Sequence, residues 1–445
     1  MGPWNVEATP QAATLEPEEG LPHRDATPLQ VCLAALNFYP VYAGPAIRFS
    51  RYLPKFRPLG ISMRVLAGTP EIVKARASGV EPDWTDWEIG EALPPAEVGG
   101  APVQRVRLPD DGGRLRARLL AASLVEHCRD PNRRPDVIQL LACGLEWIRP
   151  LRQLRRWRIP VVYTATMLRD FRSSGRIKRL LLERSIAFPM QFLDGVVVSS
   201  EAMRERMPRL GVRTPVHVIP NGVDTGRFRP PAGSEDRGRI RQALGIGPGD
   251  TMALFVGPIV ARKGIELLLE AWARACSDLP RLHLVLAGPR LDITHPANRA
   301  FHERIHRMIE ASSASGRVHF TGMIENVEEY MRAADVFVFP SRREGMPNVV
   351  PEAMASGLPV VMTPFIGLPS EFGRAAVHYR LVDFDADSLA DGIAEVVQDR
   401  RLREEMGSAA RTWTEQHLGI ERSVERYAEL YRQLARGRRA EGGRA

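Results

Sequence analysis

Apolar runs of strand length recur along the chain, separated by stretches of helical spacing. VCLAALNF (31–38), ISMRVLAG (61–68), DVIQLLA (136–142), PVVYTAT (160–166) and DGVVVSS (194–200) are such runs, and AIRFSRYLPKFRPLG between the first two has helical periodicity. Runs that are apolar throughout predict parallel strands buried on both faces, with helices packed on each side. VHVIPNGVD (216–224) ends this series. A second series comprises TMALFVG (251–257), LHLVLAG (282–288), RVHFTG (317–322), DVFVFP (335–340), LPVVMT (358–363) and AVHYR (376–380). Two such series predict an α/β protein of two Rossmann-like domains facing across a cleft.

Composition shifts place the boundaries. Residues 1–28 are rich in Pro, Glu, Ala and Gly without periodicity and read as a disordered leader. The first domain spans 29–224, a Gly/Pro/charge-rich linker 225–247, and the second domain 248–415. From Asp387 onward the spacing is helical. The last helix, 416–436, carries apolar residues at 424, 427, 430 and 434, a stripe that predicts packing back on the first domain. Residues 437–445 read as a basic disordered tail.

The 445 residues are 44% hydrophobic and 26% charged, and no run reaches the ~18 apolar residues of a spanning helix. The amino terminus lacks the basic-then-apolar pattern of a secretory signal, which predicts a cytoplasmic location. Cys32, Cys128, Cys143 and Cys276 lie far apart without a C-x-x-C, so neither a zinc site nor a disulfide framework is predicted. The net charge of +8 is unevenly spread: eleven Arg/Lys between Arg149 and Arg184 face only Asp170 and Glu183. That stretch either solvates helix faces or forms a surface for an anionic membrane or a phosphorylated lipid-linked acceptor. No nucleic-acid partner is expected.

Two segments carry chemistry. In SRREGMPNVVPEAMASGLPVV (341–361), strand DVFVFP delivers a loop at its carboxyl edge, where open α/β sheets bind ligands. Glu344 lies in that loop. Glu352 falls in the first turns of the following helix, where Pro351 is tolerated because early helical amides lack internal partners. The backbone from Gly345 through Met346, Pro347 and Asn348 to Val349 suits phosphates or hydroxyls at a positive helix end, and a carboxylate such as Glu352 can accept two hydrogen bonds from a ribose diol. Taken alone, both glutamates are ordinary solvated loop and helix-start acids. In FVGPIVARKGIELLLEAW (255–272), Gly257 closes a strand, Arg262 and Lys263 occupy the loop, and Gly264 permits a tight turn. Two cations there suit a diphosphate, although an isolated Arg-Lys pair is more often solvated surface. DFDADS (383–388) contains a D-x-D, but it precedes a helical pattern in which Asp385 or Asp387 reads as the N-cap. No metal site and no cofactor are expected.

The E-x7-E of EGMPNVVPEAMASGLPVV, the G-x4-R-K-G of VGPIVARKG, VIPNGVD, and VHFTGMIENVEEYMRAADVFVFPSRREG together closely resemble the retaining glycosyltransferases of family 4, which have the GT-B fold. The likeness is dense from Val216 to about His417 and looser over 31–215. It implies a hexosyltransferase that takes a nucleotide-sugar donor in its second domain and an acceptor in its first. Arg262 and Lys263 would hold the donor diphosphate, Glu352 the ribose, and Glu344 with the backbone of Gly345 to Asn348 the transferred sugar. PVYAGPAIR would be the glycine-rich loop that approaches the phosphates from the first domain. Gly44 fits that role, but Pro45 stands where many members have a second glycine and so removes one amide. The acceptor could be a lipid-linked saccharide, a polysaccharide precursor or a small natural product.

One family feature is missing. Members often carry a first-domain histidine after the strands matching DVIQLLA and PVVYTAT, yet no histidine lies between His127 and His217, and those places hold Leu141 or Gln139 and Thr166. A sugar-nucleotide epimerase of the same architecture and a catalytically silent donor-binding partner are the alternatives.

Overall fold

In the computed structural model, residues 27–39, 44–70, 96–108, 113–166, 176–289, 296–312, 314–365 and 367–442 are described. The first domain contains β1 (Leu29–Ala35), α1 (Gly44–Phe56), β2 (Ile61–Pro70), β3 (Glu97–Val98), β4 (Ala101–Leu108), α2 (Gly113–His127), β5 (Val137–Leu140), α3 (Ile148–Arg156), β6 (Val161–Ala165), α4 (Arg176–Met190), β7 (Gly195–Val198), α5 (Glu201–Arg209) and β8 (Val216–Val218). The second contains α6 (Ser234–Ala243), β9 (Thr251–Val256), α7 (Ile265–Asp278), β10 (Leu282–Ala287), α8 (Pro296–Glu310), β11 (Val318–Gly322), α9 (Val327–Ala333), β12 (Val336–Phe339), α10 (Val349–Ala355), β13 (Val360–Met362), β14 (Arg380–Leu381), α11 (Ala386–Gln398) and α12 (Arg400–Leu418). The chain ends with α13 (Ile420–Gly442).

The strands form an eight-stranded sheet, β3-β4-β2-β1-β5-β6-β7-β8, and a six-stranded sheet, β11-β10-β9-β12-β13-β14. Apart from the antiparallel β3–β4 pair, neighbours run parallel. Strand order reverses between β1 and β5 in the first sheet and between β9 and β12 in the second. At such reversals the connections leave on opposite faces and open a crevice at the carboxyl ends of the strands.

The apolar stripe of the last helix docks where its spacing predicts. Val424, Tyr427, Ala428, Leu430 and Tyr431 are buried in one cluster with Val31, Phe49, Tyr52, Phe56, Val137 and Val162 of the first domain. The Tyr427 ring meets Phe49 edge-on at 5.3 Å, and its hydroxyl lies 3.0 Å from Thr164 Oγ1. Tyr431 donates to Gln139 Oε1 at 3.0 Å. Burial pushes Tyr427 up to about 12 and Tyr431 well above the ordinary phenol value, so both hydroxyls stay protonated. The chain crosses between domains twice, side by side: Val223 N donates to Leu418 O at 2.7 Å and Ile420 N to Val223 O at 2.9 Å. A Cβ on Gly222 would lie 2.8 Å from Ile420 Cα, so the crossing requires glycine there.

Several details depart from the sequence expectation. The segment 225–247 holds α6, whose first-turn Asp236 accepts from Ala232 N at 3.0 Å, and Phe228, Ile240 and Ile246 are buried in the second domain's core. Its Gly, Pro and charges mark the surface of a packed element. Strand β4 alternates buried and exposed positions, with Arg105 and Arg107 between apolar residues, and so escapes a search for continuous apolar runs. AVHYR is mostly a turn: Ala376 has a φ of 63° and its amide donates to Tyr379 O at 2.8 Å, leaving β14 to start at Arg380. Helix α13 continues through Gly442, so 437–442 are helical, while 443–445 and most of the leader lie outside the described residues.

Candidate active site

The reversal between β9 and β12 places two loops side by side. Gly257 follows β9, and its amide donates to Ala287 O at 2.9 Å, so it serves the sheet. A 3-10 turn, Ala261–Lys263, then ends at Gly264 with a φ of +74°. A Cβ on Gly264 would stand 2.0 Å from the Pro340 carbonyl oxygen, so only glycine lets this turn press against the chain leaving β12. Arg342 N donates across to Arg262 O at 3.3 Å.

That backbone contact brings three predicted residues together. Lys263 Nζ lies 2.8 Å and Arg262 Nη1 3.3 Å from the same oxygen, Oε1 of Glu344, which also accepts from Ser341 Oγ at 2.7 Å. Lys263 is 7% exposed and its ammonium sits 5.2 Å from the Phe339 ring centre. Burial pushes Lys263 below its ordinary value, with help from neighbouring Arg262 and against the pull of Glu344. The Arg262 side chain is half exposed. The cluster is thus an anchored cation pair with one guanidinium still open to the crevice, an arrangement suited to a polyanion.

Glu352 stands apart from that cluster. It is buried in α10, and its Oε1 pairs with Arg51 Nη1 from α1 of the first domain. Between the two glutamates, Met346 O and Asn348 Oδ1 each accept from Asn221 Nδ2 at 2.9 Å. Asn348 Nδ2 in turn donates to Gly44 O at 3.2 Å, so two predicted residues 304 positions apart do meet. Among the described residues the amides of Gly345, Met346 and Asn348 make no hydrogen bond; Pro347 has none to offer, and Val349 opens the helix.

Sequence reasoning did not assign Arg48, Arg51, Asn221 or Ser341 to the site. Arg48 is buried and donates to Asn221 Oδ1. Gly44, Arg48 and Arg51 share one face of α1 at i, i+4, i+7 spacing, a signal that would have nominated them. Of the places of the missing histidine, Gln139 is fully buried, donating to Leu140 O and Thr164 Oγ1, Leu141 packs against the first-domain core, and Thr166 is half-buried just after β6. Asp385 caps α11, accepting from Ser388 N at 2.8 Å and Ser388 Oγ at 2.7 Å.

A cavity of about 1150 Å³ lies elsewhere, around the amino ends of strands of the second sheet, among residues such as Thr251, Asp335 and Leu358. Its Arg237 and Arg241 are both paired with Asp335. The opposite, carboxyl edge holds the anchored cations and is the better site.

Known proteins resemble both halves of the chain. The family model for glycosyl transferases group 1 matches residues 236–413, and that for Glycosyltransferase Family 4 matches residues 48–227. The lipopolysaccharide core biosynthesis glycosyltransferase LpsE of Rhizobium meliloti (strain 1021) is 32% identical over 212 residues, 47% of this chain and 56% of that protein. The lipopolysaccharide core biosynthesis mannosyltransferase LpsB of the same strain is 27% identical over 64% of this chain and 76% of its own. Anabaena Alr3699/HepE, solved in complex with UDP, superposes with a TM-score of 0.69 at 19% identity, covering 91% of this chain and 100% of that one. The fold is GT-B.

Proposed function

Because the chain belongs to the family 4-like glycosyltransferases, we propose that it moves a hexose from a nucleoside diphosphate sugar to an acceptor with retention of anomeric configuration. The observation that carries this reading is the convergence of Lys263, Arg262 and Ser341 on Glu344 at the strand-order reversal. As the sugar–phosphate bond breaks, negative charge grows on the diphosphate. Half-exposed Arg262 and buried Lys263 stabilise it, and because they are already held in place little reorganisation is needed. The acceptor hydroxyl attacks from the face the diphosphate is leaving and passes its proton to the departing phosphate oxygen. Glu344, fixed by its three donors, faces the sugar, and Glu352 takes the ribose diol. These cations replace a divalent metal, so none is required.

HepE was solved with UDP, which makes UDP the first nucleotide to test. For the acceptor, LpsE and LpsB are named for lipopolysaccharide core biosynthesis, and a lipid-linked saccharide at the inner face of a membrane is the favoured class. No helix among the described residues is long and apolar enough to cross a membrane. Leu115, Leu119, Leu145, Leu181 and Phe188 are nonetheless exposed on α2, α4 and the turn at Leu145–Trp147, and Arg114, Arg118, Arg149, Arg152 and Arg184 are exposed on α2, α3 and α4. Exposed apolar residues near exposed arginines in the sequence suit peripheral contact with anionic lipid. Part of the basic stretch 149–184, residues 167–175, lies outside the described residues.

Calorimetry with UDP, GDP and ADP, followed by nucleotide-release assays with the matching sugar donors and a range of acceptors, tests the reading. Acceptor-dependent release supports it. Tight donor binding without release under any acceptor would favour a silent donor-binding partner, the reading suggested by the missing histidine. Release with a rearranged sugar and no acceptor would mean an epimerase.

A further inference from the structure

We propose that Arg51 is a positioning residue for donor binding: from the first domain it holds Glu352 of the second so that one carboxylate oxygen stays directed to the ribose. The inference rests on the assignment of Glu352 to the ribose. Its basis is geometric. The Arg51 guanidinium reaches Oε1 of Glu352, whereas Oε2 makes no hydrogen bond among the described residues. A carboxylate gripped at one oxygen loses its free rotation and keeps the other oxygen's lone pairs for a ligand.

Arg51 is itself held. Its guanidinium lies 5.1 Å from the ring centre of Phe228, which is fully buried in the second domain's core, and Glu328 and Asp224 add negative charge near it. One turn earlier on the same face, Arg48 is tied to Asn221, which bonds Met346 and Asn348, and Asn348 bonds Gly44. The face of α1 carrying positions 44, 48 and 51 therefore follows the segment from Met346 to Glu352 contact by contact. This gives α1 a role in a site whose charged residues otherwise belong to the second domain. It also supplies, from the first domain, the countercharge of the buried Glu352 carboxylate in α10.

The test uses the full chain and the ribonucleoside diphosphate, among UDP, GDP and ADP, that binds the wild type, together with its 2′-deoxy analogue. Glu352→Gln should weaken binding and abolish the preference for the ribonucleotide. Arg51→Met keeps an apolar stem for Phe228 but removes the charge. It should weaken binding roughly tenfold and bring the ribo-to-deoxy preference close to one, with Arg51→Lys restoring part of both. The double variant should bind no more weakly than Glu352→Gln alone, as expected for residues acting through one another. A purely structural role would lower affinity for both nucleotides equally and leave the preference intact. If Glu352→Gln loses the preference while Arg51→Met keeps it, or binds more tightly than wild type, the inference on Arg51 fails and the donor assignment stands. If Glu352→Gln binds both nucleotides as wild type does, or no nucleotide binds the wild type, the donor assignment fails and takes this inference with it.

Discussion

At the reversal of the second sheet, the strand ends lead into Lys263, Arg262, Ser341 and Glu344, whose charges remain gathered at the crevice. In the first sheet Gln139 of β5 and Thr164 of β6 lie beneath α13, with Tyr431 bonded to the first and Tyr427 to the second. The two sheets share a topology but use polarity differently. In one, buried polar groups satisfy each other and fasten a helix. In the other, they are arranged around an ion pair that a ligand can join. Topology alone thus does not decide which sheet edge does chemistry; what covers the edge decides it.

The largest effect that would test this contrast is on turnover. Glu344→Gln should lower nucleotide release by roughly a hundredfold or more while leaving nucleoside-diphosphate affinity nearly unchanged, the scale of losing one preorganised polar group. A variant with normal turnover would show that the charged edge is structural like its counterpart. Lys263→Ala should weaken nucleoside-diphosphate binding by about 1–3 kcal/mol through loss of a charge-assisted bond, read by calorimetry on protein whose melting temperature confirms the fold. Equal affinity would remove lysine from the donor site. Tyr431→Phe should sharpen the contrast from the other side. It strands Gln139 Oε1 in the core and should cost about 1–3 kcal/mol in urea unfolding, with nucleotide affinity unchanged. The smallest effect is expected from chelation: excess EDTA should leave release rates where they were, because side chains of the second domain supply the neutralising charge. Loss of activity restored by magnesium or manganese would overturn that division.

Much of this was legible in the residues. Continuous apolar runs located most of the parallel strands, and the stripe at 424, 427, 430 and 434 foretold where α13 would pack. Strand β4 was hidden because Arg105 and Arg107 interrupt its apolar face, and α6 because its Gly, Pro and charges resemble a connection. At the site, Arg262, Lys263 and Glu344 were nominated from two loops, yet their meeting depends on β9 and β12 lying side by side, with Val336 opposite Ala253. The helix face shared by Gly44, Arg48 and Arg51 could nominate Arg51, but not the carboxylate it meets. Its partner is 301 residues away in the other domain, and no local pattern encodes how two domains come to rest against each other.

The placement of α13 has a consequence for how the protein is made. As the chain leaves the ribosome, every strand of the first sheet emerges early, but Phe49, Tyr52, Phe56, Val137 and Val162 must wait for the helix that covers them, which is synthesised after the whole second domain. The second domain, whose core draws on a continuous stretch from Val223 to Leu418, has its own complete set of packing partners before then. The order of completion therefore runs opposite to the order of synthesis. The earlier half stays apolar and open on one face until α13 arrives, and a fragment ending near Asp224 would expose that face permanently.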